Sequence, residues 1–413
     1  MTRDPSDLSI AIVGYLSSGI GVGRAARLWK KVFEAITPAT YAVDLGDPVR
    51  AGRHIAEQRP EWCGPVDIRV LCFNADETRL LLHHPLVRDT NARYTVGLWH
   101  WETDVFPWWM RRAFAAVDEV WAGSNYTRNV LAGLTTKNVR ALSPPVPRLA
   151  SRSTVDARAA LHLSDEFIFL CEFDYRSVLA RKNPLGTIKA FRYAFQPDEG
   201  PILLIKGVNS TAFPELQKQL ATASVDRRDI IIWNRDLSYE QNNLLLASCD
   251  VYMSLHRAEG FGLTISEAAS LGKPIITTGY SGPMDYLAND SSLLVPFELQ
   301  RVGPGQYPYP RRGRWAEPDL GHAAKLMRWA WKNPDSAARL GARARHSVER
   351  DHSIDRRVVQ ARAALKELCA GPPDHIIAHH ATWLPRWNAV DWRLHAGASR
   401  LARRVVRVAG NIQ

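Results

Sequence analysis

Two carboxylates, Glu259 and Glu267, stand with seven residues between them, and the residues between begin with Gly260-Phe261-Gly262. An apolar run over 250–255 leads into this loop. A helix-forming segment over 264–271 follows and stops at Gly272, and a second apolar run covers 274–278. The order is strand, glycine loop, helix, strand. The two glycines allow a ligand close to the backbone, and the free N–H groups at Leu263, Thr264 and Ile265 would point at an anion with the positive end of the helix dipole behind them. A carboxylate repels a phosphate but accepts hydrogen bonds from hydroxyls. Glu259 in the loop and Glu267 on the second helical turn therefore suit a ribose or sugar joined to a phosphate. The plain alternative is a loop with a helix-capping glutamate, and the flanking strands weigh against it.

A second group of charges follows the apolar run 167–174. Arg176, Arg181 and Lys182 fall within seven residues, after a strand and before a helix that starts at Pro184. A diphosphate would sit there; a solvated basic loop is the other reading. Lys206 ends a further apolar run and either adds charge to the same place or is an ordinary exposed strand-end lysine.

In the first half, His100, Trp101, Glu102 and Asp104 follow an apolar run, at the strand end where open α/β sheets keep their ligands. His100, Glu102 and Asp104 would bind a metal or act as a base, and the tryptophans would stack on a sugar. Equally, the tryptophans pack the domain and Glu102 caps a turn. Near the start, the apolar run 8–15 is followed by Gly19-Ile20-Gly21-Val22-Gly23 and a helical pattern over 25–35. The glycine spacing is G-x-G-x-G rather than the G-x-G-x-x-G of a dinucleotide fingerprint, which argues against a bound NAD.

The elements that must hold these residues alternate. Strand-like runs at 8–15, 41–45, 67–75, 93–102, 119–123 and 139–146 are interleaved with helical patterns such as 108–117 and 127–134. A second set runs over 167–174, 202–207, 229–234, 250–255, 274–278 and 292–296, followed by helices over 319–331, 336–350 and 354–368. Such alternation predicts parallel sheets with helices on both faces. The proline cluster at 144–147 reads as a linker, so domains of 1–147 and 148–370 are expected, with a tail over 371–413. The stretch 303–314 reads as a surface loop.

With 413 residues, 46% of them apolar, the chain can bury two ordinary cores. No apolar run is long enough to span a bilayer, and residues 1–7 have no signal-peptide character. The five cysteines are scattered, with no C-x-x-C pair, so a disulfide framework or structural zinc is not expected, and a cytoplasmic setting fits. The net charge of +11 suits an anionic partner: a nucleotide-sugar or an anionic membrane. The basic residues are dispersed without a recognition motif, which disfavours nucleic acid.

The phrase from His256 to Pro274, with the Ser281-Gly282-Pro283-Met284-Asp285 that follows, resembles the retaining GT-B glycosyltransferases of family 4 (glycosyl transferases group 1), in the subgroup of bacterial polysaccharide synthesis. The resemblance extends over about residues 8–370. It implies an α/β GT-B fold of two Rossmann-like domains facing across a cleft, with the second binding a nucleotide-diphosphate sugar and the first a saccharide or lipid-linked acceptor. By the same resemblance Glu267 holds ribose hydroxyls, Glu259 contacts the donor sugar, and Arg176 and Lys182, six apart, grip the diphosphate, with Arg181 a near substitute. Asn234 falls at the nucleobase pocket. Gly21, Val22 and Gly23 match the loop that contacts acceptor or donor phosphate, and Trp101, Glu102 and Pro107 match an acceptor-side phrase near which relatives carry a histidine, the role open to His100. No D-x-D motif is placed to carry a divalent ion, so no metal and no cofactor are expected. A nucleotide-sugar epimerase and a non-catalytic nucleotide-sugar-binding protein remain as alternatives.

Beyond residue 371 the chain has six arginines, no lysine and no glutamate, with Trp383, Trp387 and Trp392. Leu394, Leu401, Val405 and Val408 would share one helical face. This tail is expected either to lie on an anionic membrane, making the protein peripheral on the inner face of the cytoplasmic membrane, or to pack on the first domain.

Overall fold

The computed structural model describes residues 4–46, 64–149, 153–309 and 313–371. The expectations for the tail fall outside the described residues. The chain divides into two units. The first comprises the described residues of Met1–Pro145 and Gly303–Gly313 with those from Ile354 onward; the second comprises those of Val146–Val302 and Arg314–Ser353.

The first unit contains β1 (Ile10–Gly14), α1 (Gly21–Glu34), β2 (Thr40–Asp44), β3 (Val66–Cys72), α2 (Ala75–Leu81), α3 (Pro85–Asp89), β4 (Ala92–Trp99), β5 (Glu119–Ala122), α4 (Asn125–Ala132) and β6 (Asn138–Ala141). The six strands form one sheet in the order β2-β1-β3-β4-β5-β6, parallel throughout. Strands of a doubly covered sheet are apolar on both faces, which is why β1 is buried along its whole length. The segment 108–117, helical by pattern, is a nine-residue 3₁₀ helix, Trp108–Ala116.

The second unit contains α5 (Thr154–Leu161), β7 (Ile168–Asp174), α6 (Leu179–Lys182), α7 (Pro184–Ala194), β8 (Ile202–Val208), α8 (Pro214–Ser224), β9 (Ile230–Asn234), α9 (Tyr239–Ser248), β10 (Val251–Ser254), α10 (Leu263–Ser270), β11 (Ile275–Thr278), β12 (Leu293–Val295), β13 (Phe297–Arg301), β14 (Arg314–Pro318), α11 (Leu320–Lys332) and α12 (Pro334–Asp351). Its main sheet is parallel in the order β12-β11-β10-β7-β8-β9. An antiparallel pair, β13 with β14, stands apart from it.

Two assignments differ from the sequence reading. The last helix, α13 (Ile354–Ala370), belongs to the first unit rather than to a domain over 148–370: its Ala361, Ala364 and Leu365 complete the core around Trp29, Phe33 and Ile36. Tyr94 donates to the Gly371 carbonyl at 2.8 Å and Arg357 Nη2 to the Ser143 hydroxyl at 2.7 Å, which holds the helix there. The stretch 303–314 is not merely a surface loop. It connects β13 to β14, its Tyr307 is buried, and it clusters with the first unit.

Candidate functional site

The second unit assembles its charged residues from two loops at the ends of β7 and β10. Asp174 closes β7. Its Oδ1 accepts from the Arg176 amide at 2.8 Å and from Asn209 Nδ2 at 3.0 Å, which starts a short 3₁₀ turn. At the other end, Asn183 adopts a left-handed φ of 55°. It accepts from the Gly186 amide at 3.2 Å and donates to the Leu255 carbonyl at 2.9 Å, which caps α7 and ties the two loops together. Between them Val178 has φ 66° and ψ 103°, a costly conformation for a β-branched residue. This strained residue separates Arg176 from the turn of α6 that carries Arg181 and Lys182.

The second loop runs from β10 to α10. The Arg257 amide donates to the Arg181 carbonyl at 2.8 Å, and Arg181 Nη1 returns a hydrogen bond to the Ala258 carbonyl at 2.9 Å. The Glu259 amide donates to the Ser281 hydroxyl at 2.9 Å, and the Glu259 carbonyl accepts from Gly282 at 3.0 Å. Ser281 has φ 64° and ψ −146°, so a second strained residue supports this loop. A Cβ at Gly282 would lie 2.6 Å from the Gly260 carbonyl oxygen, so this crossing requires glycine. Gly262, at φ 86°, precedes the first turn of α10, and no side chain caps that turn. Tyr286 donates to the Gly262 carbonyl at 2.9 Å and holds the turn from behind.

These loops bring Glu259 between two cations. Lys182 Nζ donates to its Oε1, and Arg181 Nη1 stands 3.3 Å from its Oε2. Burial pushes the Glu259 pKa up, but Lys182 and then Arg181 outweigh it and hold the carboxyl down to about 2. His256, fully buried in the same loop, has its pKa pushed down by burial against the pull of Glu259. Its Nε2 lies 3.2 Å from the Tyr280 carbonyl, an acceptor only, so Nε2 carries the proton of the neutral ring. One anionic and two cationic side chains thus adjoin a helix N-terminus whose first turn has no side-chain cap, an arrangement able to take an anion.

The other expected donor residues are distributed as follows. Arg176 is half-buried on the loop after β7. Glu267 lies on α10 with no exposed surface, while Leu263 and Thr264 on the same helix are half-buried and Gly260, Phe261 and Ile265 are buried. Lys206 is no exposed strand-end lysine: only 7% accessible, it donates to Asn242 Oδ1 at 2.7 Å and stands 3.8 Å from Glu172. Asn234 accepts from the Tyr175 hydroxyl at 3.0 Å. Arg181 is the residue that sequence spacing undervalues. It sits next to Lys182, and only the fold shows that it is committed to Ala258 and Glu259.

In the first unit, Gly21, Val22 and Gly23 are the first turn of α1 rather than a loop before it. A Cβ at Gly23 would lie 2.3 Å from the Tyr15 carbonyl oxygen, whereas one at Gly21 would meet nothing within 4 Å. After β4, the His100 amide donates to Asn74 Oδ1 at 2.8 Å, and its ring lies against Gly123, where even a methyl would clash. Burial pushes the His100 pKa down, opposed by Glu102. Trp101 is buried, and its indole donates to the Val105 carbonyl at 3.1 Å.

The fold adds partners that the sequence reading omits. Tyr307 donates to Glu102 Oε2 at 2.6 Å and Tyr309 donates to Asp76 Oδ2 at 2.7 Å; Tyr309 also stacks on Trp101 at 5.7 Å. Tyr15 donates to Glu77 Oε1 at 2.8 Å. Burial, reinforced by the neighbouring Asp76, raises the Glu77 pKa to about 7. Burial also raises that of Asp76, with the Tyr309 hydrogen bond opposing it. The visible signal was Asn74-Ala75-Asp76-Glu77, two acids on the first turn of a helix directly after a strand.

The α/β fold, with its two parallel six-stranded sheets, is that of the GT-B glycosyltransferases. A sucrose-phosphate synthase from Thermosynechococcus elongatus is similar over 88% of this chain and 99% of its own, at 15% identity and a TM-score of 0.63. HepE of Anabaena, solved with UDP-glucose, is similar over 87% of this chain and 100% of its own, at 13% identity and a TM-score of 0.64. S. aureus TarM, solved with UDP, fondaparinux and α-GlcNAc-glycerol, is similar over 72% of this chain at 12–13% identity class similarity to the fold, with a TM-score of 0.53 and 13% identity; this chain spans 55% of its length. Residues 173–303, which carry the Arg181–Lys182–Glu259 cluster and α10, match the family model of the glycosyl transferases group 1. No curated protein sequence matches the chain.

Proposed function

We propose that the chain is a retaining glycosyltransferase of the family 4 type. It moves a sugar from a nucleotide-diphosphate donor to a saccharide or lipid-linked acceptor, in the synthesis of a cell-surface polysaccharide at the cytoplasmic side of the membrane. The observation that carries this reading is the placement of Lys182, Arg181 and Glu259 beside the uncapped first turn of α10, within the span matched by the family model.

In this mechanism the bond between the anomeric carbon and the diphosphate breaks, a bond to an acceptor hydroxyl oxygen forms on the same face, and the nucleoside diphosphate leaves. Arg176, Lys182 and the amides of residues 262–265 supply positive charge where negative charge develops, set in place before the reaction. Glu259 pairs with Lys182 in the ligand-free chain and turns to the donor sugar when the diphosphate takes over the lysine. Glu267 accepts from the ribose hydroxyls. With three cations and a helix terminus available, the reaction needs no metal; loss of turnover with EDTA and its recovery with Mg²⁺ would contradict this. HepE and TarM were solved with uridine nucleotides, so UDP is the first nucleotide to try.

The test is thermal stabilisation by a panel of nucleoside diphosphates and their sugars, in wild type and Glu267→Ala. A ligand at 100 times its Kd adds about 2.7 kcal/mol to the native state, an easily read rise in Tm. A rise with one nucleotide series that disappears in the variant supports the donor site. The absence of any rise overturns the reading. Conversion of the nucleotide-sugar without an acceptor would favour an epimerase instead.

A further inference from the structure

The 3₁₀ helix Trp108–Ala116 presents an exposed aromatic and basic surface that the donor chemistry does not use. A 3₁₀ helix has three residues per turn, so side chains at i and i+3 lie over one another. Met110, Ala113 and Ala116 form one edge, and all three are buried. The other two edges begin with Trp108 over Arg111 and Trp109 over Arg112. Trp108 is 72% exposed, Trp109 43%, and Val105, just before the helix, 37%. Arg111 and Arg112 are exposed too, and neither forms an ion pair among the described residues. Two indoles and a valine in water lose the stabilisation they would gain on burial, and nothing in the first unit covers them.

We infer that this surface docks on an anionic lipid bilayer. Trp rings settle at the boundary between headgroups and acyl chains, where an apolar body and a polar N–H are both accommodated. Arginines one turn further along the same edges lie beside the lipid phosphates, each gaining from the negative surface potential. The pairing of one Trp and one Arg on each of two adjacent edges is an interfacial pattern rather than a spanning one. Among the described residues no helix is long and apolar enough to cross a membrane. The chain's net charge of +11 favours the same partner. The 3₁₀ form matters here, because at 3.6 residues per turn the third-residue stacking of Trp on Arg would be lost. This surface is separate from the basic tail, and its role does not depend on the donor reading.

The test uses the full chain, tail included, in flotation with phosphatidylcholine vesicles with and without phosphatidylglycerol. Wild type is expected to float with the phosphatidylglycerol vesicles. Trp108→Ser/Trp109→Ser and Arg111→Gln/Arg112→Gln should each lower the partition onto them by about tenfold or more, with Tm unchanged because all four side chains point to solvent. Hydrogen exchange over residues 105–114 should slow when these vesicles are added. Failure of wild type to bind, flotation of both double variants equal to wild type, or protection that leaves 105–114 unaffected would each overturn the proposal.

Discussion

The Glu259 carboxylate is held by two cations adjacent in sequence, Lys182 on its Oε1 and Arg181 at 3.3 Å from its Oε2. The carboxyl pKa of about 2 lies below its ordinary value of 4.5, so the ionised form is the one the fold stabilises. That contribution is complete above pH 4.5 and is lost as the pH falls towards 2. Glu259→Gln should cost about 3 kcal/mol at pH 7, because two cations remain partly buried without their partner. Urea unfolding at pH 7 and pH 3 measures this. The gap between wild type and variant should narrow at the lower pH, and parallel profiles would refute the assignment.

Arg181 and Lys182 should separate by effect. Arg181 is spent on the Ala258 carbonyl and on Glu259, so Arg181→Gln should lower stability. Lys182, whose one printed partner is Glu259, should on change to Gln keep most of the stability and weaken nucleoside diphosphate binding by about tenfold or more. Calorimetric titration alongside thermal melts distinguishes the two. Equal losses of affinity with equal losses of Tm would show that the pair acts as one structural unit.

Val178 provides a test of preorganisation. Its φ of 66° suits glycine, so Val178→Gly should raise stability by about 1 kcal/mol through relief of strain. The same change should lower nucleotide affinity, because Arg176 and α6 are then held less firmly relative to each other. A variant both less stable and equally avid would mean that the strain has no part in binding.

How much of this was legible in the sequence depends on the kind of signal. The strand–loop–helix–strand unit over 250–278 could be read because β10 and β11 are buried parallel strands, apolar along their length, and because Gly262 and Gly272 mark the helix at both ends. Arg181 could not be separated from Lys182 by spacing, since adjacent residues on a short turn point in different directions only once the turn is known. Lys206 read as exposed because its partners Asn242 and Glu172 are distant in the chain. Tyr307 and Tyr309 were missed for the same reason: nothing local in a stretch rich in Gly and Pro tells that its hydroxyls reach Glu102 and Asp76 more than 200 positions earlier.

Gly23 and Gly21 look alike in the sequence and should respond in opposite ways. Gly23→Ala puts a methyl against the Tyr15 and Ser18 carbonyl oxygens, and should cost about 1–3 kcal/mol. Gly21→Ala meets open space on the first turn of α1 and should be neutral or stabilising by up to about 1 kcal/mol. Denaturant midpoints decide, and a harmless Gly23→Ala would refute the close approach.

Glu77 should show the reverse pH dependence from Glu259. Its pKa of about 7 lies above the ordinary 4.5, so it favours the fold when protonated and penalises it as the pH rises from 4.5 through 7. Glu77→Gln, a neutral mimic that can still accept from Tyr15, should be stabilising by about 1–2 kcal/mol at pH 8 and show no gain at pH 4. Denaturation at both pH values checks this, and a gain that does not depend on pH would show that charge is not the cause.

The return of α13 to the first unit has a consequence for how the protein is made. Trp29, Phe33 and Ile36 are synthesised early, but Ala361, Ala364 and Leu365, which cover them, come more than 300 residues later. On the ribosome the first unit therefore waits, with an apolar face open, while almost all of the second is translated. The last helix to emerge closes the first core, so a nascent chain interrupted before Ile354 would be left with a first unit unable to finish folding.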